Sequence, residues 1–272
     1  MGAHQLKQPF SDEPYDEVRL PSAPLVRVLC QLKFERMSVL DSPVAARDFA
    51  AALSSSYPYL DTSTEINMLI GGGQVMPQST HQPVWRLRSG DKSKTATLTN
   101  GSLALETSSY EGREAFCEEL HRVVEVLQAV VKIPTLSRIG VRYTNQVTGA
   151  PLAELSEYFR QEISGMSTAS LGRAEMLHCL SQASFAEGAG AAGGGFVAQW
   201  GMMPPNGGFD PTLPVLAERS FVLDLDAFRE GVGIEANPSV VRSEALALAE
   251  RAYRFLRWAV TTRFLRQYGG DV

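Results

Sequence analysis

Two pairs of charged residues in this chain have the spacing that binding chemistry needs. Arg138 and Arg142 lie in an apolar, β-branched run with Gly140 between them. Side chains alternate along a strand, so all three share one face. Two guanidinium groups there could grip a carboxylate or a phosphate in paired hydrogen bonds, and Gly140 would let a partner's backbone approach. Asp224 and Asp226 are likewise two apart, in Phe221–Phe228. Two carboxylates on one strand face could hold Mg²⁺. The plainer expectation is that opposite charges repeated at period two on two strands pair with each other, which predicts Arg142 beside Asp224 or Asp226. Tyr143 and Asn145 follow on the arginine-bearing strand, with their side chains on its other face, and complete the candidate partner-binding set.

Other chemistry is poorly represented. His81, His121 and His178 have no ligand spacing, and no nucleophile elbow, HExxH or P-loop occurs. Gly71-Gly72-Gly73 follows a strand, but neither a lysine nor a helix follows it, so it reads as a turn. No metal and no cofactor are expected. Cys30, Cys117 and Cys179 are odd in number and sit in apolar segments, which suggests reduced thiols. Arg251, Arg254 and Arg257 form a stripe on the terminal helix that a nucleic acid could use through its phosphates. The net charge of −5 argues against that use.

The elements that must position these residues are those of an α+β chain. Residues 1–24, with Pro9, Pro14, Pro21 and Pro24 and no apolar h-region, read as an extended lead-in. No apolar run of membrane-spanning length follows, so a cytoplasmic protein is expected. Strands are predicted at Leu25–Phe34, Ile66–Ile70 and Val84–Arg88. A hairpin is predicted over Lys94–Thr107, where Asn100-Gly101 is the preferred pair for a type I′ turn. Ser42-Pro43 starts a short helix. Ser108-x-x-Glu111 has the form of a capping box for a long helix to about Lys132, with Phe116, Leu120, Val123 and Leu127 on one stripe.

The second half repeats this grammar. It has a strand over Leu136–Val147, a short proline-started helix, strands at Met176–Phe185 and Phe196–Met203 around a glycine-rich tip (Gly188 to Gly195), and a strand over Phe221–Phe228. Asn237-Pro238 then caps a long helix to about Tyr268. Two β-α-βn-α units, 25–134 and 135–272, are therefore expected to share one curved antiparallel sheet as one compact body. Both long helices lie on a single face, a layout like that of the TATA-box-binding protein. The other sheet face is expected to be free.

The segments Cys30-Gln31-x-x-Phe34 and Arg138-Ile139-Gly140-Val141-Arg142-Tyr143-Thr144-Asn145 resemble a sporadically distributed bacterial family of uncharacterised proteins. Its members open on a similar CQ-x-x-F strand and carry a central RIG-x-RY-x-N strand, and Leu223-Asp224-Leu225-Asp226 is similar to a later one. The resemblance implies no activity. The family's patchy distribution suggests mobile genes such as toxin–antitoxin or phage-defence systems. The expected function is thus a non-catalytic binding or regulatory protein whose partner is another protein encoded nearby. The alternatives are an enzyme using Arg138/Arg142 and Asp224/Asp226, or a nucleic-acid binder using Arg251, Arg254 and Arg257.

Overall fold

The computed structural model describes residues 7–11, 15–71, 74–169, 172–187 and 193–272, and side chains of β2 and β3 only up to 63 and from 83. Gly72, Gly73, the His81 side chain and residues 188–192 of the predicted glycine-rich tip lie outside the described residues, as do 1–6 and 12–14 of the lead-in.

The chain is α+β, built on a nine-stranded antiparallel sheet that is curved and unclosed. The strands are β1 (Leu25–Lys33), β2 (Tyr59–Gly71), β3 (Gln74–Arg88), β4 (Lys94–Leu98), β5 (Ser102–Thr107), β6 (Thr135–Val147), β7 (Cys179–Glu187), β8 (Gly194–Met203) and β9 (Ser220–Glu235). Their spatial order is β2-β3-β4-β5-β1-β6-β9-β8-β7. Each half of the chain places its first strand at the centre and its last strand next to it. The two first strands meet there, Cys30 opposite Val141 and Leu32 opposite Ile139.

Period-two alternation assigns the faces. Cys30, Leu32, Leu103, Leu105, Ala96, Leu98, Ile139, Val141, Leu223, Leu225, Phe196 and Ala198 are all buried on one side. Over that side lie α2 (Arg113–Val130) and α5 (Pro238–Ala259), and α1 (Pro43–Leu53) packs beside α2. The stripe Phe116, Leu120, Val123, Leu127 on α2 is buried, while Glu114 and Glu118 face outward and hold Arg242 of α5. Ser42 and Asn237 accept from backbone N–H groups at the starts of α1 and α5, each with proline at the first helical position.

Three local expectations are corrected. The Asn100-Gly101 hairpin forms, with Thr99 N–H donating to the Ser102 carbonyl at 2.9 Å. However, neither central residue has positive φ, so the turn is not type I′. Tertiary contacts decide its shape: Asn100 Nδ2 donates to Asp41, and the carbonyls of Asn100 and Gly101 accept from Met37 and Phe34. A Cβ at Gly101 would meet nothing nearer than 3.5 Å, so a β-branched residue there carries no positive-φ penalty.

The capping box is unused. Residues 108–112 stay outside the helix, Gly112 at φ 140° occupies the cap position, and Ser108 Oγ instead donates to the Ser93 carbonyl. The terminal helix is also broken. Val260 is extended and bridges Phe159, and Thr261 caps a separate α6 (Thr262–Gln267).

Candidate functional site

Strands β6 and β9 are neighbours, with Arg142 opposite Asp226 and Thr144 opposite Asp224. Arg142 Nε donates to both oxygens of Asp224 at 2.9 Å, and Thr144 Oγ1 donates to Asp224 Oδ1 at 2.7 Å. Arg138 meets Asp226 at 2.8 Å and Glu230 at 3.0 Å. The four charged residues singled out by spacing therefore come together, and they neutralise one another. Asp224 is only 3% exposed and Arg138, Arg142 and Asp226 are part-buried, so the ladder is a largely covered network and not a fully solvated face.

Glycine makes room for it. A Cβ at Gly140 would lie 2.6 Å from Arg138 Nη1, so the guanidinium lies over Gly140, 4.7 Å from the Phe228 ring centroid. Phe228 in turn lies over Gly195, where a Cβ would meet its ring at 2.3 Å. Gly140 serves Arg138 of its own strand, not the backbone of a partner.

The outer face of the sheet is not free at its centre, which corrects the expectation above. The connection between β8 and β9 crosses it. Its Asp210 binds Arg27 Nη2 at 2.7 Å and Arg142 Nη1 at 3.3 Å, and its Phe209 ring lies 6.0 Å from the Arg142 guanidinium. Thr212 takes a further hydrogen bond from Arg27, which is buried. A proline- and glycine-containing connection has no periodicity to betray this role, so neither Asp210 nor its pairing with Arg27 was expected.

Electrostatics follow the geometry. Burial opposes the charged form of Asp210, but hydrogen bonds from Thr212 and Arg27 outweigh it and lower the carboxyl from 3.8 to about 2. At Asp226 burial prevails over Arg138 and Arg142, and the carboxyl is raised. Burial works against the charge of Arg142 too, and Asp224 more than compensates. Because the folded-state value of Asp210 is depressed, its contribution to stability is present above the ordinary carboxylate range and disappears as pH falls through about 2. Thermal melts between pH 4.5 and 2 are therefore expected to show a smaller loss of Tm for Asp210→Asn than for the unaltered chain. Equal losses would count against the pairing.

Tyr143 and Asn145 project to the opposite, helix-covered face, as the alternation of the strand requires. There they line a cavity of about 530 Å³ bounded by residues 17–25, the start of α2 and one side of α5. Tyr143 Oη lies 3.1 Å from Tyr110 Oη, and Asn145 Nδ2 donates to the Leu223 carbonyl at 3.2 Å. Burial pushes the Tyr110 phenol up to about 12 and raises Tyr143 as well, so both are protonated at neutral pH. Arg113 pairs with Glu17 and Glu250 and lies over the Tyr253 ring. No sequence signal marked this cavity, because it is a space between elements.

The arginine stripe is occupied by the chain itself. Arg254 Nη1 donates to the Ser11 carbonyl at 2.8 Å and Arg257 Nη1 to the Asp16 carbonyl at 2.5 Å. Tyr253 Oη accepts from Val18 N–H at 2.7 Å, and Phe10 packs on Phe185, Phe196 and Phe255. Arg251 reaches the start of β8 at Gly194. The stripe thus clamps the N-terminal segment to α5.

Among the described residues no three His, Cys, Asp or Glu side chains come together to hold a metal ion, and no helix is long and apolar enough to cross a membrane. All three cysteines are free, and burial pushes the thiols of Cys30 and Cys117 upward, Cys117 to about 12. Neither is a thiolate at neutral pH. Comparisons with models of known protein families and with curated proteins found no match.

Proposed function

We propose that this chain is a non-catalytic binding protein that holds a protein partner on the outer face of its sheet. The observation that carries this reading is the closure of the charged ladder. Arg138, Arg142, Asp224 and Asp226 satisfy one another and are partly covered, which leaves no free guanidinium pair or carboxylate pair there for chemistry. On either side of the ladder the outer face is accessible and polar. Thr95 and Thr97 lie to one side, and Gln182 and Ser184 of the edge strand β7 to the other. These side chains offer hydrogen-bond donors and acceptors to a partner, and a protein interface of ordinary size carries about ten such direct bonds. Such a role fits the antitoxin-like or phage-defence accessory function that the family resemblance suggests, with the partner encoded nearby.

The ladder residues enter this reading as scaffold. Replacing Arg138 and Arg142 together by alanine would strand Asp224 and Asp226 and disturb the fold, so that pair cannot report on an interface. Thr97→Arg and Gln182→Arg, on opposite sides of the ladder, are the better probes. Co-expression with the product of the adjacent reading frame, followed by size-exclusion chromatography, is expected to give a stoichiometric complex. At least one of the two variants is expected to weaken it by about tenfold or more, since a new charge lacking a partner is strongly disfavoured in an interface. Turnover by the purified protein that Asp226→Asn abolishes would favour the enzyme reading.

A further inference from the structure

The cavity between the N-terminal segment and α5 has a composition that selects its ligand. Its size falls within the range of small-molecule sites. Leu25, Leu225 and Leu256 give it apolar walls. Ala249 and Ala252, both almost fully buried, give the α5 wall short side chains.

Its deep polar groups are uncharged and incompletely used. Asn145 is 4% exposed. Its orientation is fixed, because the Leu223 carbonyl can only accept and must therefore face Nδ2. Its Oδ1 accepts from no described residue and is left as an acceptor at the cavity wall. Tyr110 and Tyr143 share one hydrogen bond between two hydroxyls, so one of the two phenolic protons is left over as a donor. Tyr143 remains half-buried although helices cover it, because the surface it exposes is cavity wall.

The charged groups nearby are compensated. Arg113 is held by Glu17 and Glu250, and at the mouth Arg19 and Glu111 are exposed and of opposite sign. A charged head group driven to the Asn145 end would find no counterion and would lose its hydration.

We infer that this cavity binds a neutral, largely apolar molecule of about two or three rings that carries one hydroxyl or N–H group: either donates to Asn145 Oδ1, and a hydroxyl also accepts from the spare tyrosine proton. The site lies on the face of the sheet opposite the proposed partner surface, so either assignment can fail without the other.

Two fluorescent probes that differ by one charge test it. N-phenyl-1-naphthylamine is neutral and has an N–H. 1-Anilinonaphthalene-8-sulfonate is the same molecule with a sulfonate beside that N–H. The neutral probe is expected to bind the full-length protein saturably at one per chain, and the sulfonate at least about tenfold more weakly, reflecting the cost of an unpaired charge. Ala249→Phe, which fills the cavity, is expected to lower affinity about tenfold or more with Tm retained. Asn145→Leu should lower it by about fivefold through one neutral hydrogen bond. If Ala249→Phe does not fold, the ratio between the two probes on the unaltered chain decides. Absence of saturable binding by the neutral probe, equal or tighter binding of the sulfonate, or undiminished binding by a folded Ala249→Phe variant would each overturn the assignment.

Discussion

Replacing Arg142 by methionine is expected to destabilise the protein by about 3 kcal/mol, the scale set by removing one member of a buried ion pair. In a chain of this size that corresponds to a fall in Tm of roughly 6–12 °C. Methionine keeps most of the packing of the arginine stem, so the loss isolates the charge. It would leave Asp224, 3% exposed, with only the Thr144 hydroxyl for company, and would take from Asp210 the second of its two arginines. Arg138→Met should cost less, because Asp226 and Glu230 both retain some access to water. Urea melts of the two variants check the order.

Phe255→Ala is expected to cost about 3–5 kcal/mol, the usual range for removing a large buried aromatic. Its ring lies 4.9 Å from Phe196, 5.3 Å from Trp258 and 6.0 Å from Phe185, centroid to centroid, and is 2% exposed. The cavity would open where α5, the sheet and the N-terminal segment meet, since Phe10 packs on the same ring. A second consequence separates this variant from an ordinary core deletion. Ser11, Asp16 and Val18 are held by Arg254, Arg257 and Tyr253 of the same helix, so proteolysis near the N-terminus should accelerate more than global unfolding explains. Cleavage that merely tracks global stability would show that the segment docks independently of the aromatic cluster.

Much of this architecture is written in local patterns. The alternation in β6 and β9 put Arg138, Arg142, Asp224 and Asp226 on single faces. Opposite charges repeated at the same period on two apolar strands have few ways to be satisfied other than side by side. Each half also carries its own strand-helix-strands-helix order, and a shared sheet follows from joining two first strands at the centre.

What was not legible depends on distant contacts. Asn100-Gly101 has the composition of a type I′ turn, yet Asp41, Met37 and Phe34 bind it and impose another geometry. The terminal helix reads as continuous through Val260, whose extended conformation is tied to Phe159 about a hundred residues earlier in the chain. The connection over the outer face acts through Phe209, Asp210 and Thr212, three residues in a stretch with no period. The cavity is a space between the N-terminal segment, β6 and α5, and a helical pattern reports only which residues of α5 are apolar.

The charged ladder is an internally closed structural unit and not an exposed chemical site. A double-mutant cycle on Arg142 and Asp224 tests it most directly, using Arg142→Met, Asp224→Asn and the two combined, with stability read from urea unfolding. If each charge is needed chiefly to neutralise the other, the double variant should be less destabilised than the sum of the singles by about 2 kcal/mol or more. Single effects that add to within about 0.5 kcal/mol would show two independent groups and would contradict the account.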